Sequence, residues 1–236
     1  MRAAKPSERP IDPARRTRRG RPAFRMSSGG KGDAVLKCQS RLEWLFAMAA
    51  VIHPRVSEIY YQPLVVNLTT GTVHREKIKM KPDCKYYVPD YLLVVDGKEY
   101  IIEVKSAALL AMSNKDFESI REILTRHALR FALLTDLDLR SAENNIRILY
   151  EYAIHDDPGA ITEWADTLEK LLENSSHISV AQDLVGLIEP INWYVCAGIL
   201  RGVIKFDVFN WQLLGMNFPV ERAFGDQQSL EVMHFV

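Results

Sequence analysis

"KYYVPDYLLVVDGKEYIIEVKSA", residues 85–107, contains two apolar runs separated by Asp96-Gly97. An Asp-Gly pair between hydrophobic runs marks a two-residue hairpin turn. The runs "YLLVV" and "YIIEV" are continuously apolar, as in strands covered on both faces. Within the second run, Glu103 and Lys105 are two residues apart and therefore share a face. Asp90 opens the first run, and the short hairpin brings it toward them. Buried charge is costly unless it is paired or bound to a metal. Two readings follow. In one, Asp90 and Glu103 hold Mg2+, a hard cation that prefers oxygen ligands. Lys105 then orients or helps deprotonate a metal-bound water, an arrangement suited to phosphodiester hydrolysis. In the other, the three residues form an ordinary cross-strand salt bridge on an exposed sheet face.

Working outward, "AVLKCQSRLEWLFAMAAVI" (34–52) carries Leu42, Leu45, Phe46, Ala49 and Ala50 at helical spacing, so a helix is expected up to His53-Pro54. Glu43 sits on its inner side beside Leu42 and Phe46, and an acid among core positions requires a reason. "VSEIYYQPLVVNL" alternates as a strand, and "TVHREKIKMKP" reads as a second, more exposed one. After the hairpin come a helix in "NKDFESIREILTRHAL", a strand in "RFALLTDLDL" and a helix in "AENNIRILYEYAI". This order predicts an α/β domain, a mixed sheet flanked by helices. Beyond the break at His155–Gly159, three helices are expected in "ITEWADTLEKLLENS", "SVAQDLVGLIE" and "INWYVCAGILRG". A short strand in "VIKFDVFN" follows, which is the order of a winged helix. The expected domains are a disordered basic arm over 1–33, an α/β domain over 34–158 and a mainly helical winged-helix-like domain over 159–236.

Composition narrows the class. The chain of 236 residues is 47% hydrophobic and 25% charged, ordinary for a globular protein. No apolar run approaches the roughly 20 residues of a membrane span, and the basic N-terminus has no apolar segment behind it, so no secretory signal is expected. Cys38, Cys84 and Cys196 are scattered and lack metal-ligand spacing, which fits a reducing cytoplasm. The formal net charge is zero but uneven: residues 1–31 hold ten Lys or Arg against Glu8 and Asp12. Such an arm points to an anionic partner such as nucleic acid, or to a solvated tail. If it binds phosphates, deleting residues 1–31 lowers the salt slope of DNA binding by about 0.9 for each phosphate that the arm had neutralised.

Glu43 on a helix, Gln62-Pro63 in the next strand, Pro89-Asp90 and Glu103-Val104-Lys105 together resemble the PD-(D/E)xK nuclease fold. More narrowly, "SRLEWLF", "YYQPLVV", "YVPDYLL", "IIEVKSA" and "LLTDLDLRSAENNIRILYEY" are similar, in order, to the TnsA family, the endonuclease subunits of heteromeric transposases. The resemblance covers residues 38–155 and extends more loosely into the winged-helix half. It implies a bacterial, cytoplasmic, Mg2+-dependent DNA endonuclease, with Mn2+ as a substitute, that cuts one strand on the 5′ side at transposon ends. The implied partners are transposon-end DNA, a TnsB-like DDE transposase and a TnsC-like AAA+ ATPase. Glu43, Asp90, Glu103 and Lys105 would be catalytic. Asp90, Glu103, Glu43 and the Val104 carbonyl would ligate the metal, and the family can carry Gln at the position of Glu103. Gln62 would be an accessory group near the site, or a purely structural start to a strand. A non-catalytic DNA-binding or assembly module on the same fold, and a stand-alone restriction or repair nuclease, are the alternatives.

Other residues have weaker cases. The histidines, at 53, 74, 127, 155, 177 and 234, form no metal motif. Ser106 is expected to be a local hydrogen bonder, Lys115 and Arg121 a solvated helix face, and Trp193, Tyr194 and Trp211 core. "INWYVCAGIL" offers only Asn192 for reading a DNA groove, so the C-terminal domain is expected to dock a protein, most simply the ATPase.

Overall fold

A computed structural model describes residues 24–236 apart from 77, 114, 115, 156, 176, 234 and 236. The described residues divide into two compact units, one holding 24–50, Arg55–Asp138 and Phe235, the other Val51–Pro54 and 139–233. Most of the arm, Lys115 and His234 lie outside the described residues.

The first unit is a mixed α/β fold. Its central sheet has four strands, β3 (Val56–Tyr61), β7 (Tyr91–Val95), β8 (Lys98–Lys105) and β9 (Arg130–Thr135), in the order β3-β7-β8-β9. β3 and β8 run antiparallel to β7, and β9 runs parallel to β8. The β7–β8 register, Val95↔Lys98, leaves Asp96 and Gly97 as a two-residue loop. Both have positive φ, 48° and 74°, as a type I′ turn requires. This turn sets which side chains face which way along both strands.

Helices cover the sheet. Leu92 and Ile101, register partners on one face, pack in one cluster with Ile120, Ile123 and Leu124 of α3 (Phe117–Arg126). Tyr91, on the opposite face by alternation, lies 4.9 Å from Phe46 of α1 (Arg41–Ile52), ring centre to ring centre. Its hydroxyl donates to the Glu43 carbonyl at 3.1 Å. Directly after β8 comes α2 (Ala107–Ala111), capped by Ser106, whose hydroxyl accepts from Leu109 N.

Several expectations are corrected. Residues 24–33 are not part of a disordered arm: β1 (Phe24–Ser27) pairs with β2 (Val35–Cys38), and Asp33 N donates to the Ile59 carbonyl. An arm truncation that spares the fold therefore stops before Phe24. Val35–Cys38 is a strand, not the start of a helix, and Leu36 and Cys38 alternate inward with a period of two. The helix begins only after Ser40, whose hydroxyl accepts from Glu43 N at 3.1 Å. The strand expected over 56–68 is two strands, broken at Gln62-Pro63 by a positive φ of 44° at Gln62. Its second part, β4 (Val65–Asn67), joins a separate small sheet with β5 (Thr72–His74) and β6 (Tyr86–Tyr87).

The second unit contains α5 (Glu143–Ala153), α6 (Pro158–Asn174) and α7 (Ile191–Leu200), so the expected boundary near 158 falls instead after Asp138, where α4 (Asp136–Leu139) straddles the division. The helix expected in 179–189 is only a 3-10 turn, Ala181–Leu184, because the Asp183 carboxylate draws in Ser179 N and Val180 N at 2.8 and 3.0 Å. Nor is 203–210 a strand. Only isolated bridges, Val180↔Pro219 and Ile204↔Arg222, occur here among the described residues. Pairing stays local around Ile204, with Lys205 N on the Glu221 carbonyl and Ala223 N on the Val203 carbonyl, and further on buried Asn145 takes over: its amide donates to the Val208 and Trp211 carbonyls at 2.8 and 2.7 Å and accepts from Leu213 N at 3.0 Å. Leu168, Leu184 and Ile199 are buried in the core of this unit, whereas Trp193 and Trp211, expected there, are exposed.

Two glycines test how the first unit is assembled. Gly97 has φ 74° and open space where a Cβ would stand, so Gly97→Ala is expected to cost about 1–2 kcal/mol, the strain of the left-handed conformation alone. Gly32 has the same φ, but its Cβ would stand 2.8 Å from Ile59 N. Gly32→Ala is therefore expected to cost clearly more, as measured by denaturant unfolding. Equal losses would show that residues 28–33 are not packed on β3.

Candidate active site

The site is built at one end of the β7–β8 pair. By alternation Asp90 shares a face with Leu92, and Glu103 shares one with Ile101; those two partners lie on a single face of the sheet. Asp90 N donates to the Ile102 carbonyl, and the Asp90 carboxylate turns back to accept from Val104 N at 2.8 Å. Glu103 is only 1% exposed. One of its oxygens accepts from the Tyr87 hydroxyl at 2.8 Å, and the other meets Lys105 Nζ at 3.0 Å. The Lys105 side chain is part-exposed, in contrast to Glu103.

Glu43 has the reason that its position demanded. Ser40-Arg-Leu-Glu43 is a capping box: Ser40 Oγ accepts from Glu43 N, and the Glu43 carboxylate accepts from Gln39 N at 2.8 Å and from the Ser40 hydroxyl at 3.0 Å. The same carboxylate lies within electrostatic reach of Asp90, Glu103 and Lys105. Glu43 thus starts a helix and adds a third negative charge to the cluster.

These charges govern one another. Burial, followed by the Glu103 and Glu43 charges, raises the Asp90 pKa well above the usual carboxylate range, against the opposing pull of Lys105 and the Val104 N–H. Burial also raises Glu43, and its hydrogen bonds from Gln39 and Ser40 only partly offset this. For Lys105 burial favours the neutral amine, but Asp90, Glu103 and Glu43 outweigh it and the net shift is upward. Lys105 is therefore an ammonium at neutral pH. In the cation-free protein it is a cation and hydrogen-bond donor beside Glu103.

Three carboxyl groups face one ammonium, more acids than bases, and the donors are all oxygens, a combination that fits a hard divalent cation. Among the described residues, no three His, Cys, Asp or Glu side chains converge as a ready set of metal ligands. Asp90 and Glu103 are the two carboxylates at the sheet end, whereas Glu43 is held by its own helix start. Val104 lies beside them, with its N–H on Asp90.

Gln62, the accessory residue, adjoins the cluster through its backbone: Gln62 N donates to the Asp90 carbonyl at 2.8 Å. Ser106 caps a helix, as expected of a local hydrogen bonder. Of the histidines, His53 meets the Met233 carbonyl, His74 the Thr72 hydroxyl and His127 the Gly71 carbonyl, so none of these three enters the cluster. Sequence reasoning overlooked Tyr87, which holds Glu103. Its signal was position alone, three residues before Asp90 in "YVPD". No protein-family model and no curated protein matches this sequence.

Asp90 gives a stability test. Its folded pKa is raised, so the stability it contributes is present at low pH and is lost as pH rises through that folded value. Asp90→Asn removes the titration. In cation-free protein the variant is expected to melt higher than wild type near pH 8, and the difference should shrink toward zero on acidification below the ordinary carboxylate range. A variant that melts lower than wild type near pH 8 would show that Asp90 is not crowded by the other carboxylates.

Proposed function

We propose that the chain is a metal-dependent DNA endonuclease of the TnsA type, acting with a TnsB-like DDE transposase under a TnsC-like AAA+ ATPase. The observation that carries this reading is the meeting of Asp90, Glu103 and Lys105 at one sheet end, with Glu43 within electrostatic reach. Asp90 and Glu103 would hold Mg2+ or Mn2+ with the Val104 carbonyl, and the bound cation would supply an activated water and stabilise phosphate charge. Asp90 is fixed for this by the Val104 N–H, and Glu103 by the Tyr87 hydroxyl. The Lys105 ammonium faces the same carboxylates and would orient the attacking water or bind a phosphate oxygen. Because the pKa of Asp90 is raised, occupancy by a cation must displace a proton, so cleavage should strengthen from acid toward neutral pH.

The basic residues of 1–23 would add sequence-independent phosphate contacts. The second unit would dock the ATPase: α7 presents Asn192 and Trp193 to solvent but no Lys or Arg between Ile191 and Leu200. The second reading, a non-catalytic module on the same fold, is favoured by one feature, the commitment of the Glu43 carboxylate to its capping box.

The full chain, mixed with its DDE partner, Mg2+ and DNA bearing the transposon ends, is expected to nick one strand on the 5′ side. Asp90→Ala and Lys105→Ala should each lower the nicking rate by roughly 100-fold or more while leaving DNA binding in place. Undiminished nicking by Asp90→Ala would refute the catalytic assignment. DNA binding by wild type without nicking would favour the non-catalytic module.

A further inference from the structure

Gln62 departs from what a buried residue ordinarily does in two ways, its backbone angle and its unpaired oxygen. Its φ is 44°, a left-handed conformation that a non-glycine residue rarely adopts, and the following Pro63 further restricts it. It is only 7% exposed. Its carboxamide oxygen is buried and accepts no hydrogen bond among the described residues. Buried polar atoms are nearly always paired, and backbone strain of this kind concentrates at functional sites. A purely structural Gln-Pro at a strand end would need neither the strain nor the unpaired oxygen.

Its position gives both features a purpose. β3 pairs with β7 up to Tyr61↔Tyr91, and the next residue on each strand is Gln62 and Asp90. The strained backbone delivers the Gln62 N–H to the Asp90 carbonyl at 2.8 Å. That places an unpaired neutral oxygen on the residue adjoining one of the two carboxylates of the candidate site. A hard divalent cation takes carbonyl and amide oxygens and waters alongside carboxylates. Since the described residues offer no converging third acid, histidine or cysteine, neutral oxygens must complete the coordination of any such cation.

We propose that Gln62 is a metal-site residue, whose carboxamide oxygen makes a neutral oxygen contact, direct or through a coordinated water, to the divalent cation held by Asp90 and Glu103. The inference rests on the nuclease reading, and the test separates the two. Mn2+ binding to the full chain is followed by electron paramagnetic resonance and by the rise in melting temperature on adding Mn2+. Wild type is expected to bind and Asp90→Asn to lose binding. Gln62→Met keeps the length and the backbone N–H but removes the oxygen. It should melt at or above wild type without Mn2+, bind Mn2+ about tenfold or more weakly, and gain correspondingly less on addition. Gln62→Glu, which retains the oxygen and adds charge, should bind at least as tightly as wild type, and it decides the matter if Gln62→Met does not fold. Wild-type affinity in Gln62→Met, or weakened binding in Gln62→Glu, overturns the role of Gln62 while leaving Asp90 in place. Absence of Mn2+ binding by wild type, or retention by Asp90→Asn, overturns the site itself and this inference with it.

Discussion

The first unit is organised around a charge imbalance, with Glu103, Asp90 and Glu43 brought together against a single ammonium, Lys105. Glu103 is almost wholly enclosed, so it must keep its contacts with the Tyr87 hydroxyl and Lys105 Nζ. That requirement fixes the register of the hairpin. A slip of one residue in β8 would carry Glu103 to the opposite face and bring an aliphatic neighbour into its place. The two-residue turn at Asp96-Gly97 prevents the slip, and Arg55 holds it in place through an ion pair of 2.6 Å with Asp96. Helices on both faces then exclude water, which raises the cost of every unpaired charge inside.

The same imbalance links fold and chemistry. A site that only stabilised the fold would match its acids with bases or replace them with apolar groups, because a buried ion pair is seldom worth its desolvation. Here the raised Asp90 is a standing cost that a bound cation would relieve, and the raised Lys105 keeps its proton. Strongly shifted groups clustered at a solvent-accessible sheet end mark a functional site more often than a structural one. With no family or curated match, the reading rests on this geometry and on the resemblance of the motifs.

How much the sequence revealed followed from how local the signals were. The hairpin, its turn and the shared face of Glu103 and Lys105 were legible, because a period of two and an Asp-Gly pair are local. The role of Glu43 was half legible: "SRLE" is a capping box, yet the apolar "AVLKC" ahead of it blurred into the helix and hid β2. Tyr87 could not be assigned, since its bond to Glu103 spans two sheets. The C-terminal unit was the least readable. Its 203–210 segment has the composition of a strand but pairs only at an isolated bridge, and Asn145, some 60 residues earlier, takes the Val208 carbonyl. Gln62 looked like a strand residue before a proline, and only its backbone angle and unpaired oxygen set it apart.

The central claim is that Asp90 and Glu103 form one cation site at the end of the β7–β8 hairpin. Crystals grown with Mn2+ and measured on both sides of the manganese absorption edge test it most directly. An anomalous peak within coordination distance of both carboxylates, with Lys105 alongside, is the predicted result. Carboxylates on opposite faces of the sheet, or a fully soaked crystal with its only manganese peaks elsewhere, would contradict it.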